Sequence, residues 1–210
     1  MSTKATMIER IADELARDDL TDQIDRAIVD AIEAFRTERF LFCETRALTF
    51  NTADGQEFYG SDDLADIPNI IAFDFVTYLD GNTVFQLSQV EPVDIEMASL
   101  NGTAKGSPSA FAYFAEQIRI YPVPSNVWPV RITGQLSPPA PAGPDTTGNR
   151  WMTDGERLVR ARAKLELALH VVNDDALAQR MNLAMEDYRS QMAKRANRKM
   201  GTGVIRPMNL

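Results

Sequence analysis

The chain has 210 residues, with 30 acidic side chains against 22 basic ones, one histidine, one cysteine and a formal net charge of -8 at pH 7. One cysteine excludes an internal disulfide framework, one histidine leaves few ligands for zinc, and the negative balance argues against nonspecific nucleic-acid binding by the whole surface. Folding at this length buries about 70% of the extended-chain surface, so a core needs no covalent or metal support.

Met7, Ile8, Ile11, Ala12 and Leu15 recur at helical spacing and predict an amphipathic helix within residues 1–17. Asp18-Asp19-Leu20-Thr21-Asp22 interrupts it with good N-cap residues. A second helix follows, with Ile24, Ile28, Ala31, Ile32 and Phe35 inward. Asp22 and Asp25 near its start and Arg36 and Arg39 near its end suit the helix dipole. The period then changes to two: Phe40, Phe42, Leu48 and Phe50 share one parity and predict a strand. Cys43 reads as a small buried hydrophobe. Asp54-Gly55 is a hairpin signal, with Phe58-Tyr59 opening the return. Asp62, Asp63 and Asp66 form an acidic loop, either solvated or able to hold a calcium ion, without the full twelve-residue calcium-loop pattern. Residues 70–79 read as a central strand, Asp80-Gly81-Asn82 as a turn, and residues 83–90 as the strand pairing back. Glu91-Pro92-Val93-Asp94-Ile95-Glu96 looks like the first turn of a short helix, which Asn101-Gly102 would end.

The centre of the chain is Ile118-Arg119-Ile120-Tyr121-Pro122-Val123-Pro124. Ile118 and Ile120 face one way, Arg119 and Tyr121 the other, as in a half-buried strand. Pro122 and Pro124 cannot donate to a ladder, so the strand ends there or runs on as an edge. Ser125-Asn126 turns the chain, and Val127, Trp128, Val130, Ile132 and Leu136 mark a strand expected to return against it. Ser137-Pro138-Pro139-Ala140-Pro141 is a stiff exit, and residues 138–149 read as a linker. Helix resumes with Leu158, Ala161, Leu165, Ala168, Leu169 and Val172 on one face. Asn173-Asp174-Asp175 breaks it, and Leu177, Met181, Ala184, Met185, Tyr188 and Met192 continue. The methionines sit on a core stripe that could double as an adaptable contact surface.

These elements predict an α+β fold. Helix pairs in residues 1–39 and 151–193 would close a four-helix bundle. An antiparallel β sandwich or small barrel in residues 40–150 would be inserted between them, followed by a flexible, extended basic tail at 194–210.

Motif chemistry is sparse. No phosphate-cradling loop with its lysine, no G-x-S-x-G elbow and no H-E-x-x-H is present. His170 lies in an apolar helix run and reads as a partly buried structural residue; Trp128 and Trp151 read as core or subunit contacts. A carboxylate pair such as Asp74 with Glu91 is not singled out by anything. No apolar run approaches the ~20 residues of a membrane span, and the N-terminus lacks a signal-peptide pattern. The expectation is a soluble protein, intracellular where it is made, with no membrane partner and no cofactor.

Charge is unevenly placed. Residues 189–210 hold Arg189, Lys194, Arg195, Arg198, Lys199 and Arg206 and no acid, which leaves 30 acids against 16 bases elsewhere, a net of -14. The tail also carries Val204, Ile205, Met208 and Leu210, which a pure charge tail would not need. It could dock as a peptide, bind nucleic acid, or only solubilise.

In order and spacing, several motifs resemble the head-to-tail adaptor proteins of tailed bacteriophages, the connector family that includes the tail tubular protein of short-tailed phages. They are the Gly106-Ser107-Pro108 lead-in, Ile118-Arg119-Ile120-Tyr121-Pro122-Val123-Pro124, the aromatic return strand and its proline exit. Residues 49–59, Trp151, Gly155-Glu156-Arg157-Leu158 and Ala161-Arg162-Ala163 agree as well. The similarity spans roughly residues 5–195 and departs at the loop Gly60-Ser61-Asp62-Asp63-Leu64-Ala65-Asp66-Ile67-Pro68. The resemblance implies a structural, non-enzymatic virion protein of the neck, made in the host cytoplasm, forming a twelvefold ring beneath the portal. Its partners would be the portal protein, further copies of itself and a downstream tail or nozzle protein, with DNA passing through unread. The tail residues Arg198, Lys199, Val204, Ile205, Arg206, Met208 and Leu210 are then expected to contact the portal. The alternatives carried beside this are a nucleic-acid-binding module acting through the tail and a tail-associated cell-wall hydrolase.

Overall fold

In chain order the elements are α1 (Lys4–Leu15), α2 (Thr21–Phe35), β1 (Glu44–Asn51), β2 (Phe58–Tyr59), β3 (Ile70–Asp80), β4 (Thr83–Gln89), α3 (Pro92–Ser99), β5 (Lys105–Gly106), β6 (Ala110–Phe114), β7 (Gln117–Tyr121), β8 (Val123–Pro124), β9 (Pro129–Leu136), α4 (Arg150–Thr153), α5 (Glu156–Leu167) and α6 (Asp175–Met200). The structure is a computed structural model that describes residues 3–100, 104–143 and 149–200, the last six by backbone alone. Two units divide the chain, Met1–Cys43 with Pro138–Leu210, and Glu44–Ser137.

In the helical unit Thr3 caps α1: its hydroxyl accepts the Thr6 N–H at 3.2 Å, and Thr6 Oγ1 accepts the Thr3 N–H at 2.9 Å. Met7, Ile8, Ile11 and Ala12 are buried, as their spacing predicts. The chain enters α2 through a short 3-10 turn, Asp18–Leu20. Leu20 stands at the N-cap of α2, and no side chain caps it, contrary to the aspartate or threonine cap expected. Leu20 is itself buried, so apolar burial fixes the entry in place of a cap hydrogen bond.

Phe40 and Phe42 do not begin a strand. Leu41–Cys43 is a 3-10 turn, Phe40 and Phe42 stack at 5.2 Å, and the Trp151 ring meets both edge-on at 5.7 and 5.2 Å. The aromatic cluster outweighs the alternating pattern. Asn149 caps α4 by accepting the Trp151 N–H at 3.0 Å, and the Trp151 indole N–H donates to the Pro138 carbonyl at 3.0 Å. Lys4 is buried, paired with Asp25 at 2.7 Å and donating to the Pro141 carbonyl at 3.3 Å. Helix α5 packs against α1, α2, α4 and α6. It ends in a π-helical turn, Ala168–Val172, and Asn173 takes the left-handed conformation at φ 55°. Asp174 then accepts the Leu177 N–H at 2.9 Å and starts α6.

The β unit carries a seven-stranded sheet of order β1-β9-β3-β4-β6-β7-β2, with a separate parallel pair β5-β8. β3 and β4 form the expected hairpin, with Gly81 at φ 58° in the first turn position, where only glycine is at ease. The other expected pairings are overturned. β1 and β2 are not a hairpin: β1 pairs with β9 and β2 with β7. Nor does β9 return against β7. β7 pairs with β6 through Ala115 and Glu116, both at positive φ, while β9 lies between β1 and β3. Gly134 permits that position, because a Cβ there would lie 2.1 Å from the Ala72 carbonyl oxygen of β3.

The architecture predicted from sequence is therefore corrected. Among the described residues six helices accompany one large, curled, mixed sheet with a parallel β4–β6 contact, instead of a four-helix bundle with a small antiparallel insert. Two features decide this. β9 is buried at Val130 and Ile132 and serves as an interior strand, and β4 pairs in parallel with β6 at Ser88 and Gln89. Residues 194–200, expected to be extended, lie within α6.

Candidate functional site

Arg119 and Tyr121, on the face of the central motif opposite Ile118 and Ile120, hold a helix. α3 starts at Pro92 with a capping box in which the Glu91 N–H donates to Asp94 Oδ2 at 3.3 Å. Ile95 is its buried anchor. From β7, Arg119 reaches Glu57 through Nε and Glu96 through Nη1, each at 2.5 Å, and its guanidinium lies 5.3 Å from the Phe58 ring centroid. Arg119 Nη2 donates to Ser99 Oγ at 3.4 Å, and the Tyr121 hydroxyl to the Ala98 carbonyl at 3.3 Å. The Arg119 side chain is only 12% exposed. A planar fork is the side chain suited to bridging two carboxylates, and here it ties α3 to the strand pair β2–β7.

The opposite side of α3 is uncovered. Val93, Met97 and Leu100 follow one another at four and three residues, on one helical face, and are 58%, 65% and 78% exposed. Contiguous exposed apolar side chains mark protein-contact surfaces. Sequence reading found the helix but missed this stripe, although the i, i+4, i+7 spacing was there to read. It also missed the Arg119 clamp, which joins residues far apart in the chain.

Other predicted positions have structural roles. Asp63 locks its loop by accepting the Gly60 N–H and the Gln56 amide, both at 2.9 Å. Among the described residues no group of three or more His, Cys, Asp or Glu could hold a metal ion. Tyr59 donates to the Gln56 carbonyl at 2.9 Å, and burial, with Asp63 adding in the same direction, raises its pKa. Glu91 caps α3 and Asp74 is exposed in β3. Trp128 and Trp151 are buried. Cys43 is buried, and desolvation pushes its thiol up to about 12.

His170 is not partly buried, contrary to its place in an apolar helix run. Its side chain is 72% exposed and lies 3.3 Å from Glu166, because the π-helical turn leaves Leu169, His170 and Val171 on the surface. A cleft of about 320 Å³ in the helical unit is lined by residues including Asp154, Glu156, Arg157 and Tyr188. Glu156 is already engaged there with Arg10 and, at 3.8 Å, with Arg160. Among the described residues no helix is long and apolar enough to cross a membrane. Of the expected portal-contact residues, Arg198 and Lys199 fall in α6 with side chains outside the described residues, and Val204, Ile205, Arg206, Met208 and Leu210 lie wholly outside them.

A clamped helix with an uncovered apolar face offers a surface for contact with another protein. The chain belongs to the SU10 adaptor protein family, whose model matches residues 2–208. The resemblance to phage head-to-tail adaptors holds at the level of that family, and the chain is accordingly a phage structural adaptor associated with the virion. No curated protein matches it.

Proposed function

We propose that copies of this chain form a twelvefold ring in the virion neck, beneath the portal, joining the capsid vertex to the tail around the DNA channel. The observation that carries this is the family match over nearly the whole chain. Charge supports it: outside residues 189–210 the chain carries a net of -14, and a negative wall repels DNA phosphates and lets DNA pass without sequence-specific contact. The portal lies on one side of the ring and a downstream tail or nozzle protein on the other.

The C-terminal segment docks on the portal. Burying Val204, Ile205, Met208 or Leu210 contributes roughly 1.5–3 kcal/mol each before ordering costs. Exposed ion pairs from Arg198, Lys199 and Arg206 contribute about 0–1 kcal/mol each, so the apolar residues dominate. Free in solution the chain is mainly monomeric, and the portal raises the local concentration.

The test is binding of the full chain, and of a chain truncated after Arg198, to portal-bearing capsids. The full chain binds and retains packaged DNA; the truncated chain folds, does not bind, and DNA leaks. Normal attachment of the truncated chain would move the docking role elsewhere in the molecule. Failure of the full chain to bind would end the ring reading, and DNA affinity lost with the tail would favour a nucleic-acid-binding role.

A further inference from the structure

The β unit has two strand edges whose directions and hydrogen-bond phases match. Strands β1, β9, β3 and β4 are antiparallel in succession, so β4 runs antiparallel to β1. β6 joins β4 only at Ser88 and Gln89. Among the described residues, no strand lies beside residues 83–86 on that flank, nor beside β1 on the side away from β9.

The phase follows from the hydrogen bonds at the end of each strand. The Thr52 N–H donates to the Trp128 carbonyl at 2.9 Å, so strand alternation turns the backbone groups of Thr49 and Asn51 outward. Pro129, which has no N–H, faces Asn51, as that phase requires. On β4 the Ser88 N–H donates to the Ser109 carbonyl at 2.9 Å, and two-residue steps back turn Val84 and Gln86 outward too. Proteins blunt exposed edges with charge or proline. β4 has neither, while Val84 is 65% exposed and Phe85 43%.

We propose that β4 of one copy takes β1 of a second copy as its antiparallel neighbour, with Val84 opposite Asn51 and Gln86 opposite Thr49. The sheet then continues from copy to copy. Strand direction argues for this occupant: a copy related by rotation about a ring axis presents β1 antiparallel to β4 without being turned over. In this register residues 44–47 of the incoming β1 come level with Ser88 and Gln89, where β6 lies, so the pairing is confined to residues 48–51 and β1 must bend away from β4 at its bulge between Thr45 and Leu48. Joining two different edges is a heterologous contact, the kind that repeats around a ring. The inference rests on the ring reading. A pairing this short buries far less than the roughly 800 Å² per partner of a stable complex, so in free chain at millimolar concentration it forms transiently, long enough for oxidation to trap, and it persists where copies are already held side by side.

The experiment is disulfide trapping with Val84→Cys and Asn51→Cys, in the purified full chain at millimolar concentration and in rings bound to portal-bearing capsids. Paired residues would have Cα atoms about 5.5 Å apart, within disulfide range. In one chain three strand spacings, about 14 Å, prevent an internal bond. The buried Cys43 thiol contributes little background. The double variant gives a ladder of covalent oligomers in both samples, a mixture of the single variants gives only dimers, and Val84→Cys alone gives none. Efficient dimers from Val84→Cys alone, or no ladder in rings that do contain the chain, overturn the pairing. If the chain never binds portal-bearing capsids, the ring reading fails, and the ladder from purified chain then decides the pairing: present, it stands; absent, it falls.

Discussion

Replacing Arg119 by Met keeps an apolar stem and removes the fork that clamps α3. Two carboxylates lose their partner, and they are unequal: the Glu57 side chain is 22% exposed and that of Glu96 67%. The Glu96 pair contributes under about 1 kcal/mol in that exposure. The Glu57 pair is mostly out of water, and stranding its carboxylate costs about 2 kcal/mol, below the range for a fully buried pair because solvent still reaches it. The contact with Phe58 adds about 0.5–1 kcal/mol. The total is about 3 kcal/mol, of which the Glu57 and Phe58 shares act on the β2–β7 pair and only the Glu96 share, under about 1 kcal/mol, acts on α3. Hydrogen exchange should rise by about fivefold at most in residues 92–99 and by one to two orders of magnitude in the β2–β7 pair, with a smaller change in β3 and β9. Arg119→Lys should recover part of it, since an ammonium can serve one carboxylate well but not both. Glu57→Gln should cost more than Glu96→Gln. Unchanged α3 exchange in Arg119→Met would show that Ile95 burial alone holds the helix, and the reverse order for the two glutamates would show that the Glu57 pair is not the stronger one.

Gly134→Ala should destabilise the β unit by about 3 kcal/mol or more, because the new methyl meets the Ala72 carbonyl and backbone cannot swing aside; Gly106→Ala, with nothing within 4 Å, is the control in the same urea titration. Lys4→Met should be nearly neutral, since the Asp25 side chain is 38% exposed and can return to water. Asp25→Ala should cost about 2 kcal/mol, because it leaves a buried ammonium with only the Pro141 carbonyl; equal losses in thermal unfolding would refute this asymmetry. Cys43 should resist an aromatic disulfide reagent at pH 8 and react only on unfolding. The folded thiol has the higher pKa, so its contribution to stability is complete below about 8.5, the unfolded value, and is lost as pH rises toward about 12. Rapid reaction of the native chain would show that Cys43 is accessible.

Local periodicity was enough to find the helices. Met7, Ile11, Ile24, Ile28, Ile32, Leu158 and Leu165 were read from a single spacing rule and are all buried. The β3–β4 hairpin was legible because Gly81 sits at its turn. Strand partners were not. Nothing in Val130 or Ile132 says that the neighbour is Phe50 or Leu48 of β1 and not Ile120 of β7, since alternation fixes a face and not a partner. Gly134 carried a signal, a glycine in an apolar strand where another backbone comes close, but it names no partner either. Phe40 and Phe42 misled because two alternating aromatics satisfy a strand pattern and a ring stack equally well. Parity correctly put Arg119 and Tyr121 on the face opposite Ile118 and Ile120. What they do there depends on Glu57, Glu96 and Ala98, which only the fold brings near.

In the proposed ring the two edges and the charge work together. A heterologous contact has no natural end; unless rotation closes it, it builds an open filament. A strong β4–β1 pairing would therefore polymerise free chain before it met a portal. The pairing is short, and every copy carries a net of -8, so free copies repel over the ~8 Å that physiological salt leaves unscreened. Close approach costs least at a strand without charge, which β4 is. The portal changes the balance by holding the C-terminal segments of neighbours at fixed spacing, so that pairing no longer has to gather copies from solution. Each copy in a closed ring then makes the contact twice, once through β4 and once through β1. The edge sets which neighbour fits, the acidic body keeps stray copies apart, and the attachment decides where a ring can form.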